Sequence, residues 1–583
     1  MGPALRRLIK MMIASDRTHL GRMRAWWLLL VAAVAAPLLA GLAFVLLPAF
    51  GYFPVLGGHA ISLEPWRELA LQPGLLSALR ATLVSAFVAT PIALALAMFL
   101  AARIAPDGQV RLGLPRLAAA ILSWLLATPH ASFAIGLAFL LAPSGWLMRL
   151  AALVVPIDRP PDLLLLRDPL GLSLAVGLIL KETPFLFFAA LTALRQLAPG
   201  TALHLGASLG YAPGTAWIKL VAPRLYRLLR LPLYAALAYG LSAVDMALVL
   251  GPNAPPTLAV LALDLTRDPD LAQRFPAAAL AVAHLGLVLL ALTAWRVLEI
   301  SVAHLLRPML ADGRRVPAPT GRCLAWLAGT GALLSIVLGA LAILALPIWS
   351  VAIAWRFPAA LPDCCSLSAW SRALDGLGWP LFDSLSIAAT VSCGALITAI
   401  LWLTLEAGPR SARMLTIGRL VAALPLLISD IAFLMGVQIL LLGLGILGGW
   451  LPVALTHFLF VFPYVLLALA GPWARLDPRY ERAARCLGAS SLRTLLRIRL
   501  PLLRPAIAFA AALGFAVSLS LYLPTVLTGG GRIATLATEA IALSAGGDRR
   551  ITGVYGATQA ALIWLGFLLA WLAARRHRGP VLA

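Results

Sequence analysis

Apolar runs of bilayer-spanning length recur along the chain, near 26–47, 79–102, 117–141, 170–194, 232–251, 276–298, 324–348, 384–405, 420–442, 453–471, 505–527 and 553–574. A helix needs about 20 apolar residues to cross the hydrocarbon core, so each run can cross once. The pattern predicts an all-α polytopic membrane protein of about 12 transmembrane helices. The first run follows a basic N-terminal stretch and is long for a signal-peptide core, so it reads as a retained first helix. The Met-Gly start lacks Ser or Thr at position six, so the myristoylation pattern fails.

The runs repeat as six plus six. The fourth span of each half has a proline near its middle, Pro184 and Pro463. A glycine follows at nearly the same interval in each half, at Gly210 and Gly488. At one shared further interval stands another proline, Pro223 and Pro501. The third spans also place Pro129 and Pro425 early. Two parallel halves follow, 1–305 and 306–583, related by a pseudo-two-fold axis along the membrane normal. Such an axis is a natural place for a pathway. Prolines at 184 and 463 can kink their helices, which would suit a gate.

Between the fourth and fifth spans of the second half lies YERAARCLGASSLRTLLRIRLPLLRP, Tyr480 to Pro505. Asp477-Pro478 before it reads as an N-cap and a first helical residue. Glu481 then sits near the positive helix end, where an acid is favoured. Gly488 supplies a turn and Ser490 a second cap. The expected second helix puts Leu492, Leu495 and Leu496 on one side and most of its arginines on others. The residues alone leave two readings open: a docking surface, or an interfacial loop held to anionic lipid.

Composition fits the membrane assignment. The chain is 62% hydrophobic and 12% charged, against about 25% charged in ordinary soluble domains. The net charge of +23 reads as cytoplasmic loop retention rather than nucleic-acid binding. Counted with both termini inside, Lys and Arg outnumber those of the outer loops roughly three to one. The basic tail at 575–578 adds to that bias. This predicts a multi-pass membrane protein with cytoplasmic N- and C-termini. No Cys pair or His cluster has metal-ligand spacing, so no metal site is expected. Cys364 and Cys365 fall in an outer loop, as incidental thiols or a vicinal disulfide.

Glu481, Ala483, Ala484, Gly488, Ile498 and Pro501 resemble the EAA motif of binding-protein-dependent ABC importer permeases, with one extra residue after the acid. The first half carries a degenerate copy in loop 199–223. Gly210, Leu220 and Pro223 fit, while Leu203 replaces the acid and Leu205-Gly206 the alanines. Over the whole chain the resemblance is to fused double permeases similar to those of thiamine and ferric-iron importers. It implies a duplicated type I importer transmembrane fold. It further implies that loops 199–223 and 477–501 are coupling helices for cytoplasmic ABC ATPase subunits, two of them. ATP and magnesium would sit on those partners, and a periplasmic or extracellular binding protein would deliver a small solute. None of Lys10, Lys181 or Lys219 follows a glycine, so the chain lacks a Walker A loop. No catalytic constellation is legible.

Charges inside the spans are candidate pathway or gating residues. Lys181, Glu182, Asp245 and Asp430 each cost about 2.5–3.5 kcal/mol to insert near mid-membrane unless paired or wetted. Lys181 and Asp245 can pair, and interhelical packing is the alternative role. The apolar outer segments 248–265 and 525–543 are expected at an outer gate or at a binding-protein contact. The alternative function is an ion-gradient-driven secondary transporter of twelve helices. That reading wants a relay of intramembrane acids, and it does not explain the patterned loop after each fourth span.

Overall fold

The computed structural model describes residues 3–110, 113–316, 319–406 and 412–575. The basic tail beyond Arg575 lies outside them. Helices dominate the described residues, whose strands form one antiparallel hairpin, Ala352–Ala354 with Cys364–Cys365. Helices satisfy their backbone internally, which lipid requires of any spanning segment.

Nine helices are long and apolar enough to cross a membrane, and two sharply bent pairs raise the number to 11 among the described residues. The remaining expected span, 232–251, is helical but interrupted. Helix Ala222–Ser242 carries Arg224, Arg227 and Arg230 in its first half and breaks before Asp245–Leu250. The expected span at 117–141 is likewise two helices, Leu114–Ala127 and His130–Leu141, with Pro129 at the break. In the second half Met414–Leu426 and Asp430–Gly443 meet at 92° beside Pro425.

A single constant offset in numbering relates the halves over a long stretch. Leu172–Leu197 maps onto Trp450–Arg475, Gly200–Ser208 onto Pro478–Cys486, and Leu258–Arg267 onto Leu536–Ala545. On that register Pro184 matches Phe462, one position short of Pro463. Both prolines are buried inside unbroken helices of 26 residues. Breaks that divide a span occur in the third and fifth spans of each half.

Each half's first helix packs against the other half's third span. Helix Pro3–Ala49 lies on Asp430–Gly443, and Pro319–Val351 on His130–Leu141. Glycines permit both approaches. A Cβ on Gly436 would lie 1.7 Å from the Gly41 carbonyl oxygen, and one on Gly136 would lie 2.1 Å from that of Ala342. The main buried cluster accordingly runs from Leu38 to Tyr555, through both halves. Arg149 adds a tie at one end. Its buried guanidinium donates to the carbonyls of Trp355, Arg356 and Ala359 beside the hairpin, at 2.8–3.2 Å.

The segments expected at an outer gate are tucked in. Helix Leu258–Arg267 buries eight of its ten residues, because its leucines and alanines face neighbouring helices. Its counterpart Leu536–Ala545 buries Leu536, Ala537, Ala540 and Ile541. Cys364 and Cys365 are free, exposed thiols.

Candidate functional site

The second loop begins with the expected cap: the Asp477 carboxylate accepts the Arg479 N–H at 2.9 Å. Helix Pro478–Cys486 ends at Gly488, whose φ of +78° suits a residue without a Cβ. Ser490 then accepts the Arg493 N–H at 3.3 Å. The chain continues through a five-residue π-helix, Leu495–Arg499, rather than a plain α-turn. Glu481 closes the unit. Its carboxylate pairs with Arg499 at 3.0 Å and, one helical turn on, with Arg485 at 3.8 Å. The Arg499 guanidinium stacks over Trp473, 4.0 Å from the ring centre. Glu481 therefore binds the loop helix to the entry of the next span.

Ala483, Ala484, Ile498 and Pro501 line one groove of about 400 Å³, with Leu487 and Arg497 at its rim. The leucines expected on one side diverge, because the π-turn rotates successive residues. Leu495 packs inward. Leu487, Leu492 and Leu496 point into solvent, 88%, 65% and 54% exposed. A groove floored by small residues and rimmed by leucine and arginine is suited to receive another protein's surface.

The first loop has the same backbone. Gly210 has φ of +80°, and residues Trp217–Val221 form the matching π-helix. Leu209 and Ile218 are exposed where the second half exposes Leu487 and Leu496. The charges differ. Leu203, His204, Ala207 and Val221 stand where the second half has Glu481, Arg482, Arg485 and Arg499.

Within the spans the structure separates the expected pair. Lys181 Nζ donates to the carbonyls of Leu125 at 2.8 Å and Thr128 at 2.6 Å, and more distantly to Leu126. These carbonyls are freed where the third span breaks. Asp245 instead accepts from the Tyr239 hydroxyl at 3.2 Å and its neighbour's N–H, Met246, at 2.9 Å. No Lys181–Asp245 ion pair forms, because the lysine is committed to ending a helix. Glu182 is buried with neither a hydrogen bond nor an ion pair among the described residues, and Asp430 opens helix Asp430–Gly443 next to Ser429, whose hydroxyl makes no cap bond.

Two polar bridges were missed from the sequence. Buried His284 contacts the Leu241 carbonyl at 3.1 Å and Ser429 Oγ at 2.7 Å. Buried Gln559 donates to the Leu519 carbonyl at 2.8 Å and meets Ser132 Oγ at 2.5 Å. Leu241 and Leu519 are equivalent positions of the two halves, each just before its fifth-span break. So each sixth span holds its own half's fifth-span break and reaches the third span of the other half. A lone polar residue in an apolar run was the available signal.

Residues 394–578 match the family described as binding-protein-dependent transport system inner membrane component. The chain is also 30% identical over 554 residues to the inner membrane ABC transporter permease protein YnjC of Escherichia coli (strain K12). That alignment covers 94% of this chain and 95% of the relative. The chain belongs to the binding-protein-dependent ABC permease family. A shorter match, 35% identical over 91 residues, is to the spermidine/putrescine transport system permease protein PotC homolog of Mycoplasma genitalium. It covers 16% of this chain and 32% of that protein. As an ABC importer permease the chain is a multi-pass inner-membrane transport subunit, not an enzyme. It works with ATPase and substrate-binding partners.

Proposed function

We propose that the permease docks two separate ATPase subunits, one at each loop, with loop 477–501 as the stronger site. The observation carrying this reading is the groove in which Ala483, Ala484, Ile498 and Pro501 converge beside the Glu481–Arg499 ion pair. The loops lie on the cytoplasmic side, as the Lys and Arg distribution favours. ATP and magnesium belong to the partners, since none of the lysines follows a glycine. Closure of the ATPase subunits moves the loops. The movement passes into the fifth spans through the π-helices and reaches the breaks held by His284 and Gln559. Glu182, Asp245 and Asp430 then lie along the pathway that small solute follows from its binding protein, beside the helix end that Lys181 holds.

Gentle affinity purification from native membranes tests this. The chain should bring down a P-loop ATPase at two copies, and Gly488→Pro should reduce that recovery while insertion persists. Proline cannot adopt the φ of +78° and loses the N–H that Gly488 donates to Arg485, a change costing about 3 kcal/mol or more locally. Recovery of the chain alone, under conditions preserving a control ABC complex, would favour a gradient-driven transporter instead.

A further inference from the structure

The first loop lacks an acid at position 203 yet keeps a cation in its π-helix, Lys219, where the second loop has Arg497. That cation is not left alone. Lys219 Nζ pairs with Asp312, which lies in the segment joining the two halves, just after helix Arg274–Ala311. The lysine side chain is 9% exposed and that of the aspartate 28%, so the cation is sheltered while the carboxylate meets water. Asp312 also accepts the Arg314 N–H at 3.0 Å. The next residue reaches the loop's turn: the Arg315 carbonyl accepts the Ala212 N–H at 2.9 Å. A Cβ built on Gly210 would lie 3.5 Å from the Arg315 side chain. The linker thus lies across the turn and is fastened at two places.

In the second loop the fastening is internal, from Glu481 to Arg499. In the first, helix Gly200–Ser208 meets its π-helix through small apolar contacts, Gly206 against Ala216 and Leu220. We propose that the linker supplies, in Asp312, the carboxylate that position 203 lacks, and that residues 312–315 form part of the first docking element. Fusion of the halves makes this workable. A covalently tethered acid is present at high effective concentration, which a separate chain would not guarantee. The hydrogen bond from Lys219, then that from the Arg314 N–H, holds the Asp312 carboxyl below the usual carboxylate range, so it is ionised at neutral pH. Asp312 acts through the loop and is a positioning residue.

This inference rests on the docking reading above. Its test is the number of ATPase subunits retained by the full chain without nucleotide, when each subunit depends on its own loop. Asp312→Lys and Lys219→Asp should each lower retention from two copies toward one, with the chain still membrane-inserted and monodisperse. Asp312→Glu should retain two, and the exchanged pair Asp312→Lys with Lys219→Asp should recover them. A merely structural residue would lower yield without changing stoichiometry. Glu481→Lys serves as the control for the second loop. If it loses a copy while both linker-pair variants keep two, the linker inference is overturned and the docking reading stands. If wild type retains none, the docking reading itself falls.

Discussion

At position 181 the first half buries a lysine, and the second half has Leu459 in the same helical place. Glu182 likewise corresponds to Phe460, and Asp245 to Leu523. At the loop the inequality reverses, with Glu481 and Arg499 in the second half against Leu203 and Val221 in the first. Turn glycines, π-helices and fifth-span breaks coincide in both. The comparison teaches that the duplicated backbone needs little polar chemistry of its own. Turn and cap residues set its path, and the charges are then free to specialise. In this permease three of the four intramembrane charges, Lys181, Glu182 and Asp245, lie in the first half, and the internally locked loop lies in the second.

The largest effect on that comparison should come from Lys181. Lys181→Met strands the carbonyls of Leu125 and Thr128 and should cost about 1–3 kcal/mol. Leu459→Met should cost less than about 1.5 kcal/mol, as a volume-conserving apolar swap. Thermal unfolding of the detergent-purified chain would rank the two, and equal losses would refute a structural task for the lysine.

A smaller effect should come from Asp168. Its carboxylate accepts the N–H groups of Leu170, Leu172 and Ser173 and the Ser173 hydroxyl, at the start of helix Leu172–Leu197. The second half has Ile446 there. Partial burial raises the Asp168 carboxyl's pKa, but the hydrogen bonds from Ser173, Leu172 and Leu170 outweigh it and hold the group below the usual range. With the folded value depressed, the stabilisation is present above the ordinary Asp pKa and fades as pH falls through the lowered one. Asp168→Asn should cost about 0.3–1 kcal/mol at neutral pH and flatten acid sensitivity below about pH 4. An unchanged acid profile would remove Asp168 from the account.

Much of this was legible in the chain. Asp477, Gly488 and Ser490 announce their turn because caps and positive-φ glycines depend on local chemistry alone. The span positions follow from hydropathy, and the repeat from proline and glycine spacing. Local pattern fails where a distant residue decides. Nothing near Lys181 foretells that it ends a helix far upstream, at Thr128. Nor does Asp312 resemble a loop residue until Lys219 is beside it. Pro184 and Pro463 sit inside unbroken helices, whereas Pro129 and Pro425 stand where a helix ends, and at the first of these two breaks the distant Lys181 satisfies the opened backbone.

The central claim, that both loops face the same kind of partner, is tested most directly at Cys486. This thiol is exposed at the end of helix Pro478–Cys486, and its counterpart in the first loop is Ser208. With Cys323, Cys364, Cys365 and Cys393 replaced by serine, a photoactivatable thiol-reactive probe on Cys486 would be cross-linked in native membranes. The same would be done for Ser208→Cys with Cys486→Ser. The account predicts adducts to one P-loop ATPase from both positions, stronger from 486. Adducts to lipid alone at both positions would contradict it.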